Sequence, residues 1–526
     1  MQRYALPKQL DTVEASDRII AVGMFDGLHI GHRAVLSGAL IDTDLSPAVF
    51  TFSYTDRPKT GEALQTAENR QKILENLGFS ALFEAEFSAF CDLSPAQFVD
   101  LLQTKLYAKA IVCGFNFRFG KNGAGNPAVL QQLCDERGIR LIVQPPVFVS
   151  DPPVSSTRIK EALTDGDMQT VTRLLAHPFT VEAPVFSGQQ LGRMLGAPTI
   201  NQLLPPKTVM PRFGVYASIS IVNGRAYPSV TNVGVRPTVG SPQPLAETYI
   251  LGINEDLYDQ VIRVQLIRFV RPEQKFQSVD VLKAQIKQDI DKVQSLFSPE
   301  PGKIKAIIFD FDNTLQDRQV AFYGFAHDWV CRHFPDLPEE QLKDVSEKLL
   351  ISSFYGLSNT QPDVFETACQ VLPWEQAGKA PSFDDLAEFW KTSYPAHTTL
   401  LPDAAAVLTA LREKGYRLSI LTNGHPQIQN RKVDVSGLRA LVDDVVISGE
   451  ERIQKPNPEI FRRTAFRLGV APENCVFVGD NPRNDIVGAK NAGMTPIFYD
   501  WEYPEVTVTD PTVQHIHSLT ELLSIY

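Results

Sequence analysis

"KAIIFDFDNTL", residues 305–315, combines a short apolar run with two closely spaced carboxylates. The run from Ala306 to Phe309 predicts a buried strand, and Asp310 and Asp312 follow where that strand ends. Side chains two residues apart on an extended chain point the same way, so both carboxylates would face one site. Such a pair can attack phosphorus with one carboxylate and move protons with the other.

Further polar residues follow apolar strands downstream. "SILTNG" (419–424) ends with Thr422 and Asn423, "IQKPNPEIF" (453–461) contains Lys455, and "CVFVGDNPRNDIVGAKNAG" (475–493) contains Asp480 and Asp485. In this order, over about 303–505, the segment resembles the haloacid dehalogenase phosphatase superfamily.

That resemblance implies an α/β domain whose helical cap is the aromatic-rich insert at about 318–398. It implies that Asp310 is the nucleophile, which forms an aspartyl phosphate, and that Asp312 is the general acid and then the base. The phosphoryl group would be bound by Thr422, Asn423 and Lys455. Mg²⁺ would be held by Asp310, Asp312 through its carbonyl, Asp480 and Asp485.

Upstream, "GMFDGLHIGH" (23–32) places His29 and His32 three residues apart in a glycine-rich turn between a strand and a helix. Backbone N–H groups at such a turn can hold phosphate, and imidazoles can donate to charge that develops at phosphorus. The arrangement resembles the nucleotidyltransferase superfamily. The resemblance implies that His29 and His32 are catalytic and that the loop binds ATP phosphates through Gly23, Phe25, Asp26 and Gly27.

Two more stretches, "GFNFRFGKNGAGN" (114–126) and "VSSTRIKEAL" (154–163), resemble the flavin adenylyltransferase module of bacterial bifunctional FAD synthetases. The resemblance implies a Rossmann-like α/β domain in which Asn116 and Arg118 contact the flavin. ATP phosphates would be bound by Ser156, Thr157, Arg158 and Lys160. In "TFSYTDRP" (51–58), Thr55 stands where the family commonly has histidine.

"GQQLGRMLGAPTINQ" (188–202) and "LAETYIL" (245–251) follow, among short alternating strands. Together they resemble riboflavin kinase, which implies a small β-barrel with a C-terminal helix. Gly188 and Gly192 would form a phosphate loop, and Thr199 and Asn201 offer neutral oxygens to Mg²⁺. Glu247 would take the proton from the attacking hydroxyl.

We therefore expect a multidomain chain. The expected segments are an FMN adenylyltransferase domain (1–181), a riboflavin kinase domain (182–297), a linker (298–303) and a haloacid dehalogenase-like phosphatase domain (304–526). The 526 residues suffice for about three domains.

Composition restricts the possible partners. A formal net charge of -11 argues against a general nucleic-acid or anionic-membrane surface. The N-terminal residues lack a signal-peptide core, no later run suits a membrane span, and the six scattered cysteines suit a reducing cytoplasm. Small-molecule partners are expected, and the sequence does not predict an oligomeric state.

The predicted function is FAD biosynthesis: ATP-dependent phosphorylation of riboflavin to FMN, then adenylylation of FMN to FAD. The third domain is predicted to act on the ribitylaminopyrimidine phosphate precursor of riboflavin, because cleaving FMN would undo the kinase. Two alternatives stay open. In the first, the third domain hydrolyses FMN or other nucleotide monophosphates; in the second, it is a catalytically idle module that senses flavin or forms oligomers.

Overall fold

The computed structural model of the chain contains three six-stranded sheets. The residues that it describes are 1–40, 44–56, 62–149, 151–187, 197–235, 244–253, 255–354, 365–366, 368–370, 372, 374, 382–500 and 508–526. None of the helices described there combines the length and apolar composition needed to cross a bilayer.

The first sheet is wholly parallel, with strand order β1-β4-β3-β2-β5-β6. Its strands are Gln2–Leu6 (β1), Arg18–Val22 (β2), Ser46–Phe52 (β3), Ala81–Ala85 (β4), Ala108–Gly114 (β5) and Arg140–Gln144 (β6). The helices are Ile30–Gly38 (α1), Ala67–Leu77 (α2), Phe87–Phe90 (α3), Pro95–Thr104 (α4), Pro127–Asp135 (α5), Ser156–Asp165 (α6) and Met168–Leu175 (α7). Strands buried on both faces explain the near-continuous apolar runs in the sequence.

Local sequence sets the limits of these helices. Ser94 and Gln97 form the predicted capping box at the start of α4, with Pro95 at its first position. Gly166 ends α6 at φ 80°, a backbone angle that favours glycine.

The second sheet is antiparallel and curled, with order β7-β12-β9-β10-β11-β8. Its elements are Phe179–Pro184 (β7), Thr199–Leu203 (β8), Gly214–Val222 (β9), Arg225–Val235 (β10), Pro244–Ile250 (β11), Val261–Pro272 (β12) and the helix Val279–Leu296 (α8). Asn223 and Gly224 form the predicted hairpin turn between β9 and β10, with φ angles of 47° and 77°.

The two edge strands of this sheet approach each other. Phe186, just beyond β7, donates from its backbone N to Asn201 O on β8 at 3.0 Å. This bridge closes the curl and confirms the predicted barrel-like domain with a C-terminal helix. β7 begins at Phe179, so the expected domain limit between 181 and 182 falls inside a strand.

The third sheet is again parallel, with order β17-β16-β13-β18-β19-β20. Its strands are Ala306–Phe309 (β13), Arg417–Thr422 (β16), Asp444–Ile447 (β17), Cys475–Gly479 (β18), Thr495–Tyr499 (β19) and Gln514–Ile516 (β20), while Gln316–Asp317 (β14) and Thr399–Leu400 (β15) form a separate pair. Its helices are Ala404–Glu413 (α12), Pro426–Val435 (α13), Ser448–Glu451 (α14), Pro458–Arg467 (α15), Gly488–Ala492 (α16) and Leu522–Ile525 (α17).

Three longer helices form the predicted cap between β14 and β15. They are Arg318–His333 (α9), Glu339–Phe354 (α10) and Phe383–Ala396 (α11). Their aromatic residues pack mainly on one another; Phe325, for example, contacts Trp329 and Trp390. Most of the aromatic residues in this segment therefore form the core of the cap.

The third domain packs against both others through polar contacts. Arg33 Nη1 on α1 donates to Asn430 Oδ1 on α13 at 3.0 Å. Ala226 N on β10 donates to Glu459 Oε1 on α15 at 2.6 Å. Arg463 on α15 also donates to Gly224 O, so the third domain makes buried or part-buried polar contacts with both other domains.

Candidate active sites

The first site lies at the carboxyl end of β2, where the chain turns into α1. Phe25 and Gly27 have positive φ angles of 48° and 87°, and a Cβ on Gly27 would lie 2.6 Å from Leu64 Cδ1. This turn therefore needs glycine at position 27. His29 then caps α1, because its Nδ1 accepts a hydrogen bond from His32 N at 3.2 Å.

The two histidine rings are stacked and neutral. Their centroids lie 3.6 Å apart, with an interplanar angle of 15°. Burial lowers the pKa of His29 well below its ordinary value, and His32 lowers it further. Burial, with the charge of Arg70, lowers the pKa of His32 to about 3. Since His29 Nδ1 accepts a bond, its proton sits on Nε2, which can donate to a phosphate oxygen.

Asp26 joins this turn to α6. Lys160 Nζ lies 2.7 Å from Asp26 Oδ2 and donates to Glu62 O at 2.7 Å. Asp26 Oδ1 accepts from Leu64 N at 2.7 Å, and Ser156 Oγ donates to Asp26 O at 2.8 Å. The structure therefore brings together three residues that the sequence assigned to phosphate, but it places Lys160 in an ion pair with Asp26.

The start of α6 differs in detail from the prediction. Ser155, one residue before the predicted donor Ser156, is the N-cap, because Ser155 Oγ accepts from Arg158 N at 3.3 Å. Arg158 Nη1 donates to Pro152 O at 2.6 Å, so its guanidinium bonds its own loop. Thr157 is exposed.

The predicted flavin-binding residues lie in the loop after β5. Asn116 and Arg118 are exposed there, beside Phe115, which is 44% exposed. β5 neighbours β2, so this loop lies at the same sheet edge as the histidines. Gly23 directly follows β2, and its backbone N donates to Phe50 O on β3 at 3.2 Å.

The second site lies on the curled sheet. Asn201 on β8 pairs with Glu247 on β11, and Thr199 pairs with Tyr249. A cavity of about 240 Å³ opens beside them and is lined by Thr199 and Glu247. Asn201 is 5% exposed, and its Oδ1 has no hydrogen-bond partner among the described residues. The predicted Gly188 and Gly192 lie outside the described residues.

Sequence reasoning missed three polar residues that line this cavity. Asn232 on β10 pairs with Glu247 in the sheet register. Arg271 and Asp289 form a bidentate ion pair, with Nη2–Oδ2 at 2.7 Å, that holds α8 against β12. Strand alternation on β10 could have identified Asn232, but no local signal joins Arg271 to Asp289.

The third site lies where β13, β16 and β18 end. Lys455 Nζ lies 2.6 Å from Asp310 Oδ1 and 2.6 Å from Asp485 Oδ1. Carboxylate oxygens of Asp310, Asp480 and Asp485 lie within 4.8 Å of one another. The four side chains come from three segments of the chain: 145 positions separate Asp310 from Lys455, and 30 separate Lys455 from Asp485.

The pKa values of Asp310, Asp480 and Lys455 are all raised in this cluster. Burial raises the pKa of Asp310 to about 7. The charge of Lys455 opposes this shift, and the charge of Asp485 adds to it. Burial, with the charge of Asp310, raises the pKa of Asp480 well above its ordinary value. Although burial lowers the pKa of Lys455, the carboxylates of Asp310 and Asp485 hold it above its ordinary value. The cluster has an excess of negative charge that one lysine does not balance.

Asp312 has separate partners. Gln429 Nε2 donates to Asp312 Oδ2 at 2.9 Å, and Gln316 and Lys432 both bond Asp312 Oδ1. Although burial raises the pKa of Asp312, the charges of Lys432 and Arg318, with the hydrogen bonds from Lys432 and Gln429, together lower it below its ordinary value. Sequence reasoning missed Gln429 and Lys432, because polar residues on a helix ordinarily face water.

Thr422 and Asn423, at the end of β16, bond Gln429 and the loop that carries Lys455. Gln429 Nε2 donates to Thr422 Oγ1 at 2.5 Å. Asn423 exchanges two hydrogen bonds with the Lys455 backbone, Nδ2 to O at 3.0 Å and N to Oδ1 at 2.9 Å. Asn423 therefore positions the loop that carries Lys455 rather than presenting its amide to the carboxylate cluster.

Both carboxylate-bearing sites suit a divalent cation by their donor chemistry. The excess charge at Asp310, Asp480 and Asp485 is what hard, oxygen-preferring Mg²⁺ neutralises. At the second site, the buried Oδ1 of Asn201, which lacks a partner among the described residues, offers a neutral oxygen beside Thr199. The residues present therefore fit the predicted ligand sets.

Three family models match the chain, each over one of the predicted domains. Residues 11–158 match FAD synthetase, 175–297 match riboflavin kinase, and 304–493 match haloacid dehalogenase-like hydrolase. The third domain is thus a haloacid dehalogenase-like hydrolase domain.

Curated relatives cover the first two domains. A bifunctional riboflavin kinase/FMN adenylyltransferase of Listeria monocytogenes is 31% identical over 57% of this chain and 99% of its own length. The protein of the same description from Escherichia coli K12 is 32% identical over 52% of this chain and 90% of its own. The solved structure of a macrolide-efflux protein from Streptococcus pneumoniae is 28% identical, with a TM-score of 0.50, over 56% of this chain and 99% of that one.

The relatives are matched along 90–99% of their own length. The stacked histidines and the start of α6 lie in the residues matched by the FAD synthetase model, and Glu247 lies in those matched by the riboflavin kinase model. The chain belongs to the family of bifunctional riboflavin kinase/FMN adenylyltransferases and carries an additional haloacid dehalogenase-like hydrolase domain.

Proposed function

We propose that the third domain hydrolyses a phosphomonoester through a covalent phosphate on Asp310. The observation that supports this most directly is the position of Lys455, whose Nζ lies 2.6 Å from Asp310 Oδ1. A buried ammonium group beside a carboxylate nucleophile places positive charge where phosphoryl oxygens would lie during attack. The idle-module alternative gives no reason to retain a buried lysine among the carboxylates of Asp310, Asp480 and Asp485.

The proposed reaction has two halves. Asp310 attacks phosphorus, the ester P–O bond breaks, and the leaving alcohol takes a proton from Asp312, which would have to bind that proton in the substrate complex because its pKa is lowered in the free chain. Water then attacks the same phosphorus, gives a proton to Asp312, and releases inorganic phosphate with Asp310 restored. Gln429 and Lys432 hold the Asp312 carboxylate in place between these steps.

Mg²⁺, when bound by Asp310, Asp480 and Asp485, would supply charge neutralisation at the phosphate oxygens. The protein groups supply the remainder: Lys455 balances part of the carboxylate charge, and Asn423 positions the Lys455 loop. The proposed phosphate ligands are therefore Thr422 and Lys455, with Asn423 in a supporting position.

The proposed substrate is the ribitylaminopyrimidine phosphate precursor of riboflavin. Hydrolysis of FMN would reverse the kinase reaction of the same chain, whereas removal of phosphate from the precursor leads towards riboflavin, the substrate of that kinase. Both reactions would then contribute to FAD formation. FMN and other nucleotide monophosphates are the competing substrates.

We would measure phosphate release by the full chain, without ATP, from the precursor phosphate, FMN and p-nitrophenyl phosphate. The proposal predicts the highest kcat/KM for the precursor. Asp310→Asn should lose release from every substrate while riboflavin phosphorylation stays unchanged. Asp317→Asn, which alters the N-cap of α9, is the matched carboxylate control.

Three results would separate the parts of this proposal. Equal turnover of the precursor and p-nitrophenyl phosphate would refute the substrate but not the hydrolase. Undiminished release in Asp310→Asn would refute the nucleophile. No release from any of the three by the wild type would favour the idle-module alternative.

We further propose residue roles in the two transferase sites. His29 and His32, with the start of α6, would bind the ATP phosphates, and Asn116 and Arg118 would contact the flavin. Glu247 would be the general base of the kinase, and Thr199 and Asn201 would hold its Mg²⁺. The stacked neutral imidazoles and the Asn201–Glu247 register support these assignments.

The domain limits are also a proposal. The first domain would end near residue 178, in front of β7, because β7 pairs with β12 of the curled sheet. The kinase domain would run to 297, followed by the linker 298–303 and the hydrolase-like domain 304–526, with its cap at about 318–398.

A further inference from the structure

A cavity of about 780 Å³ lies between the kinase domain and the hydrolase-like domain. Its kinase wall consists of residues 268–270 of β12 and residues 292–296 of α8. Its other wall consists of residues 304–305, 414–417 and 469–470, which precede or begin β13, β16 and β18. The hydrolase site lies at the carboxyl ends of those same strands, so this cavity is at the opposite end of the sheet.

The cavity is strongly basic. Among the described residues, its walls carry the five cations Arg268, Lys292, Lys305, Lys414 and Arg417 and the single acid Glu300. The Glu300 carboxylate already has two partners. Lys305 Nζ donates to Oε1, and Lys303 Nζ donates to Oε2 at 2.9 Å. The remaining cations come from both walls, so an anion held there would contact two domains.

Arg268 and Arg417 lie close enough to repel. Burial lowers the pKa of Arg417, and the charges of Arg268 and Arg173 lower it further, against the opposing charge of Asp443. Arg417 Nη1 is oriented by Leu468 O at 2.9 Å. Like charges that converge on a cavity oppose each other unless a counter-charge lies between them.

Arg268 and Lys292 are the cations of this cavity that are most available to bind an anion. In the part of the chain that the structure describes, neither side chain is in an ion pair. Both are exposed to solvent at the mouth of the cavity. Lys414, by contrast, donates to Leu523 O and Tyr526 O, both at 2.6 Å.

The volume and chemistry of the cavity indicate the class of ligand. Small-molecule sites commonly measure about 300–1,000 Å³, and 780 Å³ lies within that range. Arginine and lysine together favour phosphate groups, the first as a planar fork and the second as a point charge. We propose that this cavity binds a small phosphate-bearing anion with at least two negative charges, and that the anion bridges the kinase and hydrolase-like domains.

The test uses inorganic pyrophosphate as the probe, with inorganic phosphate as the weaker comparison. Calorimetric titration of the full chain, without Mg²⁺ and at low salt, would be compared between the wild type and Arg268→Gln/Lys292→Gln. The matched control is Lys283→Gln/Lys287→Gln, which removes the same charge from exposed positions on α8 outside the cavity. The adenylyltransferase histidines are intact in all three proteins, so binding there cancels in the comparison.

We expect the cavity variant to bind pyrophosphate at least tenfold more weakly at one site, or to lose that site, while the control matches the wild type. Pyrophosphate should also raise the melting midpoint of the wild type more than that of the cavity variant. Identical titrations for all three proteins would overturn the proposal. If the double variant folds poorly, Lys292→Gln alone should still show a several-fold loss.

Discussion

Arg33 Nη1 donates to Asn430 Oδ1 at 3.0 Å. This bond joins α1, which begins at the paired histidines, to α13, whose side chains bond the carboxylate of Asp312. Arg33 directly follows His32 on α1. Asn430 lies between Gln429 and Lys432 on α13, which both bond Asp312. One face of α13 thus serves the hydrolase-like site, and another contacts the adenylyltransferase domain.

Removing Arg33 should destabilise this interface. Its Nη1 also lies 3.6 Å from Asp434 Oδ2, and both side chains are at most 10% exposed. Arg33→Ala leaves Asn430 and Asp434 with fewer partners in a buried setting, so we expect a loss of about 1–3 kcal/mol. Urea unfolding measures it. Lys72→Ala, at an exposed position on α2, is the control, and equal midpoints for both variants would contradict the prediction.

Glu247→Gln should separate the two transferase activities. The amide keeps the shape of the side chain but cannot accept the hydroxyl proton, so FMN formation should fall by about 10²-fold or more. FAD formation from supplied FMN should stay within about twofold of the wild type, since the histidine site is untouched. Glu182→Gln, on β7, serves as the exposed control. Loss of both activities would show that the sites are not independent.

His29→Asn should give the reverse pattern. The change removes a neutral imidazole donor that we propose binds the ATP phosphates, and loss of one such donor typically costs about 10²–10³ in rate. FAD formation should fall by that factor, and FMN formation should not change. His517→Asn, at a 72% exposed side chain, provides the comparison. A parallel fall in both reactions would argue for a folding defect instead.

His177 should make stability depend on pH. Burial, together with the charges of Arg467, Arg33 and Arg439, lowers its pKa to about 4, although a bond to Pro178 O opposes this. The unfolded chain, with a pKa near 6.5, therefore binds more protons than the folded chain between pH 6.5 and 4.

Acidification through that window should lower the free energy of unfolding by up to about 1 kcal/mol per pH unit through this residue. His177→Gln should show a shallower decline between pH 6.5 and 4, and the same pH dependence as the wild type above pH 7. Urea titrations at several pH values measure both slopes. Identical slopes in the acid window would exclude His177 as a contributor.

Local signals in the sequence predicted much of the fold. The Ser94–Gln97 capping box and the Asn223–Gly224 turn each depend on neighbours within three residues, so sequence alone identifies them. Asp310 and Asp480 each directly follow an apolar strand, which carries the resemblance that identifies them as common Mg²⁺ ligands, and the structure places their carboxylate oxygens within 4.8 Å of each other.

Long-range polar pairs were not predictable in this way. Lys432 reaches Asp312 across 120 positions, and the sequence of α13 gives no sign that its polar residues are buried. Lys160 was predicted to bind ATP phosphates, yet it pairs with Asp26, because the turn brings a carboxylate within 2.7 Å. Such contacts depend on how whole elements pack, which periodicity and spacing do not encode.

The segment that connects the kinase and hydrolase-like domains is bonded to the third domain at Glu300 and Lys303. Asn474 Oδ1 accepts from Glu300 N at 2.9 Å, and Asn474 Nδ2 donates to Glu300 O and Lys303 O, both at 2.6 Å. An insertion between Glu300 and Lys303 would disrupt these three hydrogen bonds before it increased the distance between the two domains. The connection therefore sets the separation of the two domains and does not act as a slack tether.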